Sequence, residues 1–175
     1  MKQFLLFVSF FLVIIVTNGQ EVDTIKSRVP ASWKKYHIAP RIGIGTQRAF
    51  FTEAGFAFQK YMYDARHGFV AYSFYSLIEW TPAREEHKAI TGVKVGCESV
   101  FNGSAGALEI KYLSNGEVDD VMITPKIGLG IGFVNIYYGY NFSTEKYPFP
   151  RIRKHQFSFV INTNLLFYAN KYEKK

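Results

Sequence analysis

Pro125-Lys126-Ile127-Gly128-Leu129-Gly130-Ile131-Gly132-Phe133 runs directly into Val134-Asn135-Ile136-Tyr137-Tyr138-Gly139-Tyr140-Asn141-Phe142. After a loop comes Phe157-Ser158-Phe159-Val160-Ile161-Asn162-Thr163-Asn164-Leu165-Leu166-Phe167. Successive side chains of a strand point to opposite faces. One face therefore carries Ile127, Leu129, Ile131 and Phe133, then Ile136, Tyr138, Tyr140 and Phe142, then Phe157, Phe159, Ile161, Leu165 and Phe167, while the other is mostly Gly, Asn, Ser and Lys. Large apolar groups on one face and small or polar ones on the other is the period-2 signature of strands with lipid outside and a crowded lumen inside.

The same rhythm extends to both sides, and the spacing predicts eight strands. The first covers about 38–47, with Ile42 and Ile44 outward and Gly43 and Gly45 inward. The second, about 50–62, sets Thr52, Ala54, Phe56, Phe58 and Met62 against Glu53, Gly55, Ala57 and Gln59. The third, about 69–80, sets Val70, Tyr72, Phe74, Ile78 and Trp80 against Ala71, Ser73, Tyr75, Leu77 and Glu79. The fourth, about 88–100, sets Val93, Val95 and Cys97 against Gly92, Lys94, Gly96 and Glu98. The fifth, about 105–113, sets Leu108, Ile110 and Tyr112 against Ala107, Glu109 and Lys111. The sixth is about 121–132, the seventh begins past Gly132-Phe133, and the eighth runs from Gln156 to Tyr168.

Turn chemistry separates these segments. Asp64 to Gly68 reads as a tight turn, and Asn102-Gly103 is a strong hairpin signal. Pro125 has no N–H to give a ladder, which predicts a strand end or bulge there. Gly132-Phe133 is expected to be a very tight turn or a bend. The connections after strands two, four and six are short, and those after three, five and seven are longer, the inequality expected of periplasmic turns and outer loops.

At 175 residues there is room for one core. The formal charge of +7 would admit nucleic acid as a partner, but the start of the chain points to export instead. Lys2, the apolar run Phe4 to Val16 and then Thr17-Asn18-Gly19 read as a secretory signal peptide over 1–19. The run is too short to cross a bilayer as a helix. Residues 20–37 read as a periplasmic N-terminal segment without periodicity, 38–168 as the barrel and 169–175 as a tail. Cys97 is the sole cysteine, in phase with Val93 and Val95, so it reads as a small hydrophobe.

The expected architecture is all-β: a closed antiparallel up-and-down transmembrane β-barrel of about eight strands. Its rival is a soluble secreted barrel of lipocalin type, with the aromatic face lining an apolar ligand cavity. The polar face argues for lipid outside, because Gly, Ser, Ala and Asn suit a crowded lumen better than a solvated wall. Its charges occur in both signs, Glu53, Glu79, Glu98 and Glu109 with Lys94, Lys111 and Lys126. These are expected to form an ion network plugging the lumen, since unpaired buried charges are costly.

The signal-like start, the alternating strands, Pro125-Lys126-Ile127-Gly128-Leu129-Gly130 and Tyr138-Gly139-Tyr140-Asn141 together resemble small outer-membrane β-barrels of the OmpA/OmpX type, in the idiom of uncharacterised Bacteroidota barrels. The resemblance covers about 38–168 and is one of pattern. It implies an integral barrel of a Gram-negative outer membrane, in contact with membrane lipids and lipopolysaccharide. Such barrels often end on an aromatic residue, whereas Phe167 and Tyr168 here are followed by Ala169 to Lys175.

Three features carry the search for chemistry. The basic and aromatic loop Lys146, Tyr147, Phe149, Arg151, Arg153 and Lys154 is the candidate contact for lipopolysaccharide phosphates or a protein partner. Glu85, Glu86 and His87 with Glu117, Asp119 and Asp120 form acidic loops whose spacing matches no metal-ligand loop. His87 and His155 with Ser76 and Ser143 are the groups a lipid-modifying rim enzyme would need, but no nucleophile elbow or metal motif accompanies them. The expected role is a non-enzymatic structural, adhesive or accessory subunit of an envelope complex. No cofactor, metal or nucleic acid is expected.

Overall fold

The computed structural model describes residues 36–64, 68–84, 87–131 and 133–162. The expected signal peptide, most of the N-terminal segment, Glu85 and Glu86, the far end of the last strand and the tail lie outside the described residues.

The strands are β1 (His37–Arg48), β2 (Phe50–Asp64), β3 (Gly68–Thr81), β4 (Ile90–Phe101), β5 (Ser104–Ser114), β6 (Asp119–Ile131), β7 (Val134–Tyr140), β8 (Phe142–Ser143) and β9 (Ile152–Asn162). Every neighbouring pair is antiparallel, consecutive strands pair from β1 to β7, β9 pairs with β7, and β1 pairs with β9 to close the ring. β7 and β8 are two pieces of one stave, both lying between β6 and β9 or β6 alone, so the wall is a closed eight-stranded up-and-down barrel. Closure leaves no open edge.

The interruption between β7 and β8 has a cause in β6. Pro125 does not end or bulge its own strand, which pairs without a shift along β5 from Ser104↔Leu129 to Ser114↔Asp119. The missing N–H acts on the other side instead. β6 pairs with β7 up to Lys126↔Gly139 and resumes at Ile123↔Phe142 with the same register, so the gap falls opposite Thr124 and Pro125. Side chains bridge it: Thr124 Oγ1 donates to Asn141 Oδ1 at 2.7 Å, and the Asn141 N–H turns to the Lys154 carbonyl at 2.6 Å.

The turns fall at two rims. At the lower rim, Asn102 and Gly103 both hold positive φ, 47° and 89°, between Phe101 and Ser104, the geometry that matches the twist of the flanking strands. Ile131 pairs with Val134, so β6 and β7 are two separate, paired strands rather than one merged strand with a bend. At the upper rim, residues 82–89, 115–118 and 144–151 are the longer connections, and Arg48 (φ 82°) and Ala49 make a short one. Gly55 and Gly128 mark where the wall is tightest. A Cβ would stand 2.1 Å from the Ser76 carbonyl oxygen at the first and 1.9 Å from that of Ile136 at the second.

Alternation then sorts the side chains. Ile42, Ile44, Phe56, Phe58, Phe74, Ile78, Val93, Val95, Ile110, Ile127, Leu129, Ile136, Phe157 and Phe159 all face outward and are exposed. The residues between them are buried: Arg41, Glu53, Gln59, Glu79, Lys94, Glu98, Glu109, Lys111 and Lys126 among them. The apolar face is thus the outer wall and the charged face is the lumen. Val70 departs from its parity: it is buried beside the lower rim, 8% exposed, where it pairs with Met62 and Phe101.

Candidate functional site: a neutralised lumen under a closed rim

Four cations, Arg41, Lys94, Lys111 and Lys126, enter the lumen from β1, β4, β5 and β6. Four carboxylates, Glu53, Glu79, Glu98 and Glu109, enter from β2, β3, β4 and β5. They arrange in three tiers.

The lower tier is centred on Glu98. Arg41 Nη2 donates to its Oε2 at 2.7 Å, while Nη1 donates to Asn162 Oδ1 at 3.1 Å. Ser73 Oγ and Asn135 Nδ2 donate to Glu98 Oε1 at 3.3 and 3.1 Å. The guanidinium also stacks over Tyr75, 4.0 Å from the ring centre. In the middle tier Glu109 Oε1 accepts from Lys126 Nζ at 2.6 Å and from Tyr75 Oη at 2.9 Å, which joins the two tiers through one phenol.

Lys94 holds the upper tier. Its ammonium donates to Glu53 and lies 2.6 Å from Glu79 Oε2, a contact that is ionic without hydrogen-bond alignment. Glu79 Oε1 accepts from Gln47 Nε2 at 2.6 Å. Lys111 makes no ion pair within contact distance among the described residues. Its Nζ donates to Gln47 Oε1 at 2.9 Å and to Gln156 Oε1 at 2.7 Å, and the first of these amides links it to Glu79.

All seven lumen residues named from the sequence stand in this array. Arg41, Gln47, Tyr75, Asn135, Gln156 and Asn162 were not among them, and they supply the hydrogen bonds that complete it. Arg41 shares the parity of Gly43 and Gly45, so its inward aim was readable. Gln47 sits near the end of β1 and Gln156 at the expected start of the last strand, where parity is weakest as a signal.

Above the tiers the lumen ends in an apolar cap. Phe149 is 2% exposed and packs with Ile90, Leu113, Met122 and Ile152. This corrects the expectation of an exposed contact: the loop 144–151 folds back across the mouth and buries its own aromatic, because five apolar groups meeting there remove more surface from water than an outward Phe would. Tyr147 is half-buried and donates its hydroxyl to the Asn141 carbonyl at 2.6 Å. Burial pushes its phenol above the usual range, which keeps it the donor. Asp120, also buried, fastens the loop by accepting from Ser143 Oγ at 2.6 Å and from the Thr144 and Glu145 N–H groups at 3.2 Å.

The other candidates separate. Lys146 is exposed on the loop. Arg153 and Lys154 belong to β9, which begins at Ile152 rather than at Gln156, and both are exposed. Arg151 is half-buried, with Nη1 donating to the Pro82 carbonyl at 2.6 Å. Glu117 pairs with Lys88 at 2.7 Å in the open, while Asp120 serves the loop, and no metal-holding group of His, Cys, Asp and Glu occurs among the described residues. His155 lies on the outer wall, with Nδ1 2.6 Å from Tyr138 Oη. Ser76 also faces outward, and Ser143 Oγ is engaged by Asp120.

Phe149→Ala is expected to free the loop without opening the wall. Trypsin should cleave after Lys146 and Arg151 severalfold faster, while the barrel strands stay protected, because local opening depends on the contacts of the segment itself.

Comparison of the chain with family models, with curated proteins and with solved structures finds no match.

Proposed function

We propose that the chain is an integral outer-membrane β-barrel with a filled, non-conducting lumen, a non-enzymatic structural, adhesive or accessory subunit of an envelope complex. The observation that carries this is the inversion of the two faces. Large aliphatic and aromatic side chains circle the outside of the wall while four cations, three of them ion-paired, and four carboxylates fill the inside. A wall of that kind exceeds the few hundred Å² of contiguous apolar surface usual for a soluble monomer. Lipid is the solvent it suits, and a closed sheet is one of the two ways a backbone crosses lipid with its polar groups satisfied.

A carrier of apolar ligands needs the reverse arrangement, an apolar lumen with room in it. Here the lumen is occupied from Arg41 to Phe149. The signal-like segment 1–19 fits export, and the four upper connections would present the protein to lipopolysaccharide or to a partner. The role is then anchoring and presentation rather than transport.

Fractionation of expressing cells, with electrophoresis of the outer-membrane pellet with and without boiling, tests the reading. The expected result is a membrane band that migrates faster unboiled, with no steady conductance in planar bilayers. Recovery in the soluble fraction with no shift would sink it.

A further inference from the structure

Arg48, Arg84 and Arg151 come from three separate connections and line one upper-rim cavity of about 420 Å³, together with His87, Phe50 and Pro82. No carboxylate lines it among the described residues. Two of the guanidiniums are fixed in place by backbone carbonyls. Arg48 Nη1 donates to the Pro150 carbonyl at 2.9 Å and Arg151 Nη1 to the Pro82 carbonyl at 2.6 Å. Each keeps its remaining N–H donors, which sit in a rigid planar fork suited to phosphate oxygens. Arg48 is set in this position by the left-handed backbone of its turn, φ 82°.

The surroundings identify the anion's source. Phe50 lines the same cavity and is 51% exposed on the outer wall, and Trp80, 47% exposed, stands two positions before Pro82 on the outward face. The cavity therefore stands where the apolar belt ends and the charged rim begins, the level at which aromatic girdles meet headgroups.

We propose that this cavity binds the phosphate of an anionic lipid headgroup from the surrounding leaflet, with the acyl chains lying against Phe50 and Trp80. The inference rests on the lipid-facing reading of the wall. It assigns the rim a specific ligand class instead of general charge attraction, and it places the contact on Arg48 and Arg151 rather than on Lys146, Arg153 and Lys154.

The test is native mass spectrometry of the full chain folded in detergent with phosphatidic acid, and separately with diacylglycerol, which lacks the phosphate. The wild type should retain phosphatidic acid and not diacylglycerol. Arg48→Gln with Arg151→Gln should lower retention by about tenfold, the loss expected of two charge-assisted contacts. Lys60→Gln with Lys88→Gln removes the same charge elsewhere and should leave retention unchanged. Equal retention of both lipids, or equal loss in both variant pairs, overturns the site, as does displacement by inorganic phosphate at the lipid's own concentration, which marks a free-anion site. Heat-dependent migration of the same wild-type sample separates the two readings. A chain that shifts on boiling but holds no phosphatidic acid overturns the site alone, and one that does not shift overturns both.

Discussion

Lys94→Met is expected to abolish assembly of the barrel, or to lower its stability by about 3–5 kcal/mol where it still folds, the range for removing one partner of a buried ion pair. Lys94 is fully buried and is the ammonium in contact with both Glu53 and Glu79, whose side chains are 0% and 1% exposed. Without it, two carboxylates share a space that water does not reach, and Lys111, which reaches Glu79 only through Gln47, is not placed to replace it. Met fills much the same volume as the lysine stem, so the loss is electrostatic and not a cavity effect. The measurement is the fraction of refolded protein that shifts on boiling, followed by denaturant titration in detergent. The companion variant Glu53→Gln, Glu79→Gln, Lys94→Met, Lys111→Met removes two charges of each sign and should recover most of the loss, since neutral replacement of a complete buried network is often tolerated. Failure of this variant to recover would mean that Lys94 acts by shape.

What could be read from the sequence follows from how local each feature is. Period-2 alternation is a property of neighbouring residues, so the outward set from Ile42 to Phe159 and the inward set from Glu53 to Lys126 were legible without knowledge of the fold. Asn102-Gly103 was legible for the same reason. Pro125 was read correctly as a ladder problem and wrongly as an ending, because the sequence does not say which neighbour of β6 faces the missing N–H. The pairing with β5 is intact there and the cost falls on β7 and β8. Phe149 was misread because a loop aromatic is exposed or buried according to what lies across the mouth. Ile90, Leu113, Met122 and Ile152 come together only once the ring closes. The arginine cavity was missed likewise: Arg48, Arg84 and Arg151 share no periodicity and meet only at the rim.

Val95→Arg should cost about 2–4 kcal/mol in lipid vesicles, and Val121→Arg about 0–1 kcal/mol, because the penalty for a cation on a lipid-facing wall depends on depth. Val95 is at the centre of β4, 50% exposed on the outer wall, between Ser76 on β3 and Ile110 on β5. Val121 also faces outward, 39% exposed, but lies near the upper end of β6 beside Asp120. In water the two variants would behave alike, since an exposed residue exchanged for Arg away from any special contact changes stability by no more than about 0.5 kcal/mol. Denaturant titration of the two variants in vesicles therefore measures the solvent of the wall directly. A gap of more than about 1 kcal/mol between them places Val95 in hydrocarbon, by the same depth dependence. Equal and small effects would place the wall in water, and the apolar belt would then need a protein partner to cover it.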